Sequence, residues 1–146
     1  MRRLLLALVL FTNVGLIVEL ALLEHTESAT QWIPFAVLAA GLAASAAVAL
    51  RPGPGTLRAF QSVMASFVVA GALGLYLHFR GNVEFELETD PAAHGLGLVW
   101  RALTGATPTL APGAMTQLGL LGLTFAWRHP AFARGQAARD QQSEGK

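Results

Sequence analysis

Four long apolar runs, separated by short polar segments, constrain this chain more than any other feature. They cover residues 4–23, 31–50, 59–79 and 110–127. An α-helix rises about 1.5 Å per residue, so about 20 apolar residues cross the hydrocarbon core of a bilayer. The fourth run is the shortest and remains viable as a span. We therefore expect an all-α integral membrane protein with four transmembrane helices.

The composition agrees with a membrane protein, since 53% of the 146 residues are hydrophobic and 13% are charged. Soluble domains carry about 25% charged residues. Four spans leave no room for a separate soluble domain, so residues 1–146 are expected to form a single membrane domain. Cysteine is absent, which excludes disulfides, thiolate metal sites and cysteine nucleophiles.

The first run follows Arg2 and Arg3, and two arginines before an apolar run also fit a secretory signal peptide. The run is long for a signal core, and no Ala-x-Ala cleavage site follows it. An uncleaved transmembrane helix is therefore the expectation, with a cleaved signal as the alternative.

Lysine and arginine flank the spans unequally, and they concentrate in cytoplasmic segments of membrane proteins. If both termini are cytoplasmic, eight of the ten basic residues lie inside: Arg2, Arg3, Arg51, Arg58, Arg128, Arg134, Arg139 and Lys146. The pattern predicts a multi-pass protein of a bacterial inner membrane. It also predicts an extracytoplasmic loop over residues 80–109 and a cytoplasmic tail over 128–146. That tail is polar without apolar periodicity, so we expect it to be mostly disordered.

The loop begins with a turn pair, Gly81-Asn82, followed by strict alternation of apolar and acidic residues: Val83, Glu84, Phe85, Glu86, Leu87 and Glu88. Alternation of period two predicts a short acidic β-strand. No second strand is evident elsewhere in the chain. The strand therefore either rests on the helix ends or pairs with a strand of another chain.

An amphipathic helix is expected next, beginning at Asp90-Pro91 and ending at Thr104-Gly105. Its apolar stripe consists of Leu96, Val99, Trp100 and Leu103. Such a helix lies in the membrane interface, on its own helices, or against another subunit.

Small residues spaced four apart predict close helix contacts, because helices in lipid associate through packing. In the second run they are Ala36, Ala40 and Ala44, with Ala39, Ala43 and Ala47 beside them. The third run has Ser62, Ser66, Ala70 and Gly74, and the fourth has Gly119 and Gly122.

Glu19, Tyr76 and Gln117 fall in one layer of the bilayer, roughly 4–8 Å below its outer surface when counted along their helices. A carboxylate at that depth costs a few kcal/mol unless it is partnered, protonated or near water. Gln117 or Tyr76 is the expected partner of Glu19. The role of Glu19, structural or functional, is left open by the sequence.

Glu24, His25, Glu27 and His78 gather near the outer surface, and imidazole and carboxylate groups are metal ligands. Their spacing matches no metal-binding motif, so they are metal candidates only. No catalytic motif is present. We expect no catalytic residue and no cofactor.

Three functional classes remain, in order of preference. The first is a non-enzymatic subunit or interaction protein of a larger membrane assembly, in contact with membrane lipid and with other subunits or copies of itself. It would dock through Val83–Glu88 and Trp100. The alternative is a small transporter or binding protein for a proton, metal ion or small solute, using Glu19 and the outer histidines. An intramembrane enzyme ranks third. Nothing in the composition indicates nucleic acid as a partner.

The predicted topology is testable with reporter fusions at Gly105 and at Lys146. The partition of basic residues predicts opposite compartments for the two reporters, with the Gly105 fusion outside. The same compartment for both fusions would remove one span and contradict the four-helix architecture.

Overall fold

The computed structural model describes residues 1–24, 26, 28–105, 107–133, 141 and 143. Regular structure in these residues is entirely helical. The α-helices are α1 (Arg2–Leu22), α2 (Trp32–Leu50), α3 (Pro54–Thr89), α4 (Gly95–Leu103) and α5 (Gly113–Ala126), and a 3₁₀ turn over Ala29–Gln31 leads into α2.

Three helical segments are long and apolar enough to cross a membrane, namely α1, Ala29–Leu50 and α3. The chain is therefore compatible with a multi-pass membrane protein. The fourth apolar run forms a shorter helix, because α5 has 14 residues. Residues 110–112 form a turn before α5 and do not belong to it.

The predicted acidic strand is wrong, because α3 continues without a break for 36 residues, through Val83–Glu88, to Thr89. Gly81-Asn82 is likewise a helical pair within α3 and not a turn. At 1.5 Å per residue α3 is about 54 Å long, which is more than a bilayer core requires.

The physical reason is that this part of α3 makes its contacts through polar residues. Asn82 is buried with an exposed fraction of 3%, and Glu86 pairs with Arg101 of α4 at 3.4 Å. Glu84 lies one turn beyond Arg80 and pairs with it at 2.8 Å, as helical spacing allows. Glutamate also favours helices and is depleted in strands.

The amphipathic helix exists as α4, but it begins at Gly95, later than predicted. Asp90 ends α3, since its N–H donates to the Glu86 carbonyl at 2.8 Å. The Asp90 carboxylate then accepts the Ala92 N–H at 3.2 Å and stabilises the turn between α3 and α4. Proline at position 91 therefore belongs to that turn.

The closest helix contact joins α3 and α5, which run antiparallel. A Cβ atom added to Gly71 would lie 2.6 Å from the Thr116 nitrogen and 2.8 Å from the Pro112 carbonyl oxygen. One added to Gly119 would lie 2.6 Å from the Met64 carbonyl oxygen. These backbones touch because neither glycine carries a side chain.

Large side chains fill the remaining space between α3 and α5. Phe60 and Phe67 are fully buried, and Phe125 packs edge-on against Phe60 with ring centroids 5.5 Å apart. Aromatic edge-to-face pairs of this kind stabilise a core beyond the area they bury.

The predicted alanine rows of α2 do not form its contact face. Ala36, Ala40, Ala39, Ala43 and Ala47 are exposed, and Ala44 is half-buried. The buried face consists of Leu38, Gly41, Ser45 and Val48. Gly41 determines this orientation, because the Asn13 amide and the Phe67 ring occupy the position of its missing side chain.

Arg2 joins the beginning of α1 to the end of α5. Its guanidinium donates to the carbonyl oxygens of Phe125, Trp127 and Arg128 at 2.5, 2.9 and 3.1 Å. The last carbonyl groups of a helix lack partners within that helix, and a cation there complements the helix dipole. The two chain segments therefore lie at the same end of the molecule.

The expected disorder of the tail does not begin at Arg128. Ala131 is buried and Phe132 packs against the core. Residues 134–140, 142 and 144–146 lie outside the described part of the chain.

The α3–α5 contact predicts opposite effects for two glycine substitutions in one helix. Gly71→Ala should destabilise by about 1–3 kcal/mol, because its Cβ meets backbone atoms. Gly81→Ala is the matched control, since nothing lies within 4 Å of its Cβ position, and alanine favours helix by up to about 1 kcal/mol. Unfolding of the purified variants in detergent measures the stability of each. Equal stabilities of Gly71→Ala and Gly81→Ala would contradict the contact.

Candidate binding cavity

A cavity of about 400 Å³ lies at the end of the molecule where α4 sits. It is bounded by the end of α1, the 3₁₀ turn and start of α2, one face of α3, and the segment that leads into α5. Most of its wall is apolar and includes Leu16, Leu20, Pro34, Leu77 and Met115. We call it the Glu19 cavity after the one carboxylate among its described lining residues.

Glu19 lies in the last turn of α1, which ends at Leu22. This position places it in the cavity wall. Its carboxylate forms no hydrogen bond or ion pair with any residue in the described ranges. The Glu19 residue is exposed to the open space of the cavity and is not buried. An unpartnered carboxylate facing a mainly apolar space is therefore the main chemical feature of the cavity.

The α1–α2 turn supplies hydroxyl and amide groups to the rim, and these groups largely bond one another. The Ser28 N–H donates to the Gln31 side-chain oxygen at 2.9 Å, and the hydroxyls of Ser28 and Thr30 lie 3.0 Å apart. The reciprocal arrangement holds the 3₁₀ turn in place at the cavity edge.

His78 of α3 also lines the cavity, and its Nδ1 lies 3.2 Å from the Pro108 carbonyl oxygen. A carbonyl oxygen only accepts hydrogen bonds, so Nδ1–H is the donor in this contact. In the neutral imidazole the proton is then on Nδ1, and Nε2 is an acceptor. The same bond ties the loop before α5 to α3.

Asn82 attaches the rest of this loop to α3. Its side-chain nitrogen lies 2.9 Å from the Ala102 oxygen, 2.7 Å from the Thr107 oxygen and 3.0 Å from the Thr109 hydroxyl. Its side-chain oxygen accepts the Thr107 N–H at 3.2 Å. One buried amide therefore positions the segment that contributes Thr107 and Pro108 to the cavity wall.

Gly105 and Arg101 complete this attachment. A Cβ atom at Gly105 would lie 2.9 Å from the Asn82 side-chain carbon, so the loop approaches α3 closely at that point. Arg101 of α4 lies 3.4 Å from Glu86 and 3.2 Å from Asp90. Both contacts hold α4 on the end of α3.

The predicted polar layer is not brought together. Glu19 lines the cavity, whereas Tyr76 is 57% exposed, Gln117 is exposed, and neither is among the lining residues. No hydrogen bond joins Glu19 to either residue within the described chain. Tyr76 lies two positions after the lining residue Gly74, and Gln117 lies two positions after the lining residue Met115. Two positions correspond to about 200° around a helix axis. The three residues therefore do not share a face.

The metal candidates are only partly placed. His78 lines the cavity, and Glu24 is exposed outside it. His25 and Glu27 lie outside the described residues. Among the residues that are described, no group of three or more His, Cys, Asp or Glu side chains is positioned to hold a metal ion.

The predicted docking residues lie on helices. Val83–Glu88 belong to α3, where Phe85 is 56% exposed. The α4 stripe of Leu96, Val99, Trp100 and Leu103 is exposed, whereas Ala102 of the same helix is fully buried.

Sequence reasoning did not identify Asn82 as the residue that holds the loop. Its acceptors lie 20 to 27 positions further along the chain, so no local pattern marks it. Asn13 of α1 and Ser45 of α2 are two further polar residues that no local pattern marks. Both are fully buried and their side chains have no hydrogen-bond partner in the described structure.

Comparison of the chain with protein-family models, curated proteins and solved structures finds no match. The functional argument therefore rests on the geometry of the cavity.

The role of Asn82 predicts a local effect of Asn82→Leu. The variant leaves the Thr107 N–H without its acceptor, and it leaves the oxygens that accept from the Asn82 amide without their donor. An unpaired buried group costs about 1–3 kcal/mol of stability. Hydrogen exchange of residues 107–111 should accelerate roughly tenfold or more, because local opening becomes easier. Glu84→Gln, two residues away on the exposed side of α3, should leave it unchanged. Slow exchange in both variants would show that Asn82 does not hold the loop.

Proposed function

We propose that the protein is a four-helix bundle of a bacterial inner membrane, spanned by α1, α2, α3 and α5, with both termini cytoplasmic and α4 outside. The partition of basic residues supports this orientation. The pairing of α1 with α5 supports a fourth span. Arg2 contacts Phe125 at one end, and Glu19 shares a cavity with Met115 near the other. The turns directly before and after α5 lengthen this short helix, so that the whole segment is closer to α1 in length.

We propose further that this protein is non-enzymatic and binds a small molecule in the Glu19 cavity, which then opens toward the outer leaflet. The observation that carries this proposal is the apolar cavity of about 400 Å³ with Glu19 and His78 in its wall. Ligand sites are typically apolar cavities of about 300–1,000 Å³ with a few polar groups that fix orientation.

Binding is favoured over transport by the packing below the cavity. Leu38 and Phe67 are fully buried, and Leu118 is 1% exposed. These side chains fill the centre of the described helices, so the cavity has a closed floor. A transport cycle would require these helices to separate.

A second candidate is the subunit or interaction protein of a larger membrane assembly. Its support no longer includes a strand edge, because Val83–Glu88 are helical. The favouring observation is the apolar stripe of α4, on which Leu96 is 87% exposed and Trp100 is 68% exposed. Such a stripe contacts either lipid at the membrane surface or another subunit.

The binding proposal is tested by native mass spectrometry of protein purified from its own membrane in mild detergent. The parent should carry a bound molecule of discrete mass. Ala111→Phe places a ring in the cavity wall and should remove that molecule, whereas Leu110→Phe should retain it. Ala111 lines the cavity, and its neighbour Leu110 is exposed outside it.

Protein without a bound molecule, or a molecule that persists equally in both variants, would contradict binding in the Glu19 cavity. Stable co-purification of another chain, lost on Trp100→Ser, would support the second candidate instead.

A further inference from the structure

We infer that the ligand of the Glu19 cavity is an amphiphilic organic cation, a protonated amine with an apolar body. This inference rests on the proposed binding function and specifies its chemistry. It follows from the carboxylate in the cavity wall, from the absence of arginine and lysine in the described part of that wall, and from the apolar side chains of the remainder.

Glu19 and His78 are the two ionisable groups of the described wall, and Glu19 is the one carboxylate. Glu19 presents a carboxylate, which accepts only, and it has no partner among the described residues. His78 uses its Nδ1–H on the Pro108 carbonyl, so the neutral ring has only the acceptor Nε2 remaining. A carboxylate without a described partner calls for a ligand that donates hydrogen bonds.

The same wall contains no arginine or lysine in its described part, so it has no cationic side chain to hold a phosphate, sulfate or carboxylate. The Ser28 and Thr30 hydroxyls and the Gln31 amide at the rim are neutral groups, so they supply no positive charge. An anion would meet the Glu19 charge without compensation. The charge of the ligand is therefore positive.

An organic cation fits better than a metal ion. Structural and catalytic metal sites use three or four protein ligands, and the described wall offers two, Glu19 and His78. A primary ammonium has three donors and needs no fixed coordination shell. The leucine, proline and methionine side chains of the remaining wall then cover an apolar body, which gains by leaving water.

The inference is tested by titrating the purified protein with four probes. Three are phenyl compounds of similar size and different charge, and the fourth is a metal ion. These are phenethylammonium, the neutral 2-phenylethanol, the anionic 3-phenylpropionate, and Zn²⁺ alone. We expect phenethylammonium to bind most tightly. The neutral alcohol should bind roughly tenfold or more weakly, because it lacks the charge-assisted hydrogen bond to Glu19.

Two variants carry the same chemical change at different places. Glu19→Gln should weaken phenethylammonium binding roughly tenfold or more, while leaving 2-phenylethanol binding unchanged. Glu24→Gln neutralises an exposed carboxylate near the same end of α1 but outside the cavity. It should leave phenethylammonium binding unchanged. Glu19→Gln is expected to fold, since the carboxylate has no described partner to lose, and circular dichroism confirms the helix content.

The outcomes separate this inference from the proposed function. Tight binding of 2-phenylethanol or 3-phenylpropionate, lost in Ala111→Phe, would keep the cavity as a binding site and overturn the cationic ligand. Zn²⁺ binding that requires Glu19, without ammonium binding, would also overturn it. Failure of every probe to bind would contradict both proposals. Equal effects of Glu19→Gln and Glu24→Gln would show that the cation binds to surface charge.

Discussion

The direct contact between the backbones of α3 and α5 is the interaction on which the rest of the structure depends. Lipid is as apolar as the helices, so helix association in a membrane relies on close packing and not on removal of apolar surface from water. Gly71 and Gly119 permit that packing. The same contact brings Pro112 against Gly74, which places the segment before α5 in the cavity wall. Packing in the helix centre thus determines the shape of the cavity.

Polar contacts act at the α4 end, where packing alone would not hold a loop. Asn82 positions Thr107 through two hydrogen bonds, and His78 holds Pro108 through another. The opposite wall is the α1–α2 turn, whose polar groups bond one another. Glu19 differs from all of these, because its carboxylate has no partner in the described chain. This contrast distinguishes a group available to a ligand from groups that maintain the fold.

The sequence predicted three helices that are long and apolar enough to cross a membrane, together with the amphipathic α4, because hydropathy and helical period depend on local composition. It failed at Val83–Glu88, where period two suggested a strand although α3 buries a polar face there through Asn82 and Glu86. A pattern that classes residues only as apolar or polar does not predict a helix face that makes its contacts through polar side chains. The alanine rows of α2 were misassigned because the contact at Gly41 is set by Asn13 and Phe67. Counting residues along the helices compares positions along the helix axes, and it does not show which residues share the face of Glu19.

Disulfide formation between cysteines at positions 74 and 112 tests the central claim most directly, namely that α5 begins against α3 and closes the cavity. The chain has no native cysteine to compete. A Cβ atom at Gly74 lies 2.8 Å from that of Pro112, and a disulfide joins Cβ atoms about 3.8 Å apart after a small shift. Oxidation of Gly74→Cys/Pro112→Cys in native membranes should give an intramolecular bond. Gly81→Cys/Pro112→Cys, about 10 Å further along α3, should not. Cross-linking of neither pair, or of both equally, would contradict this arrangement.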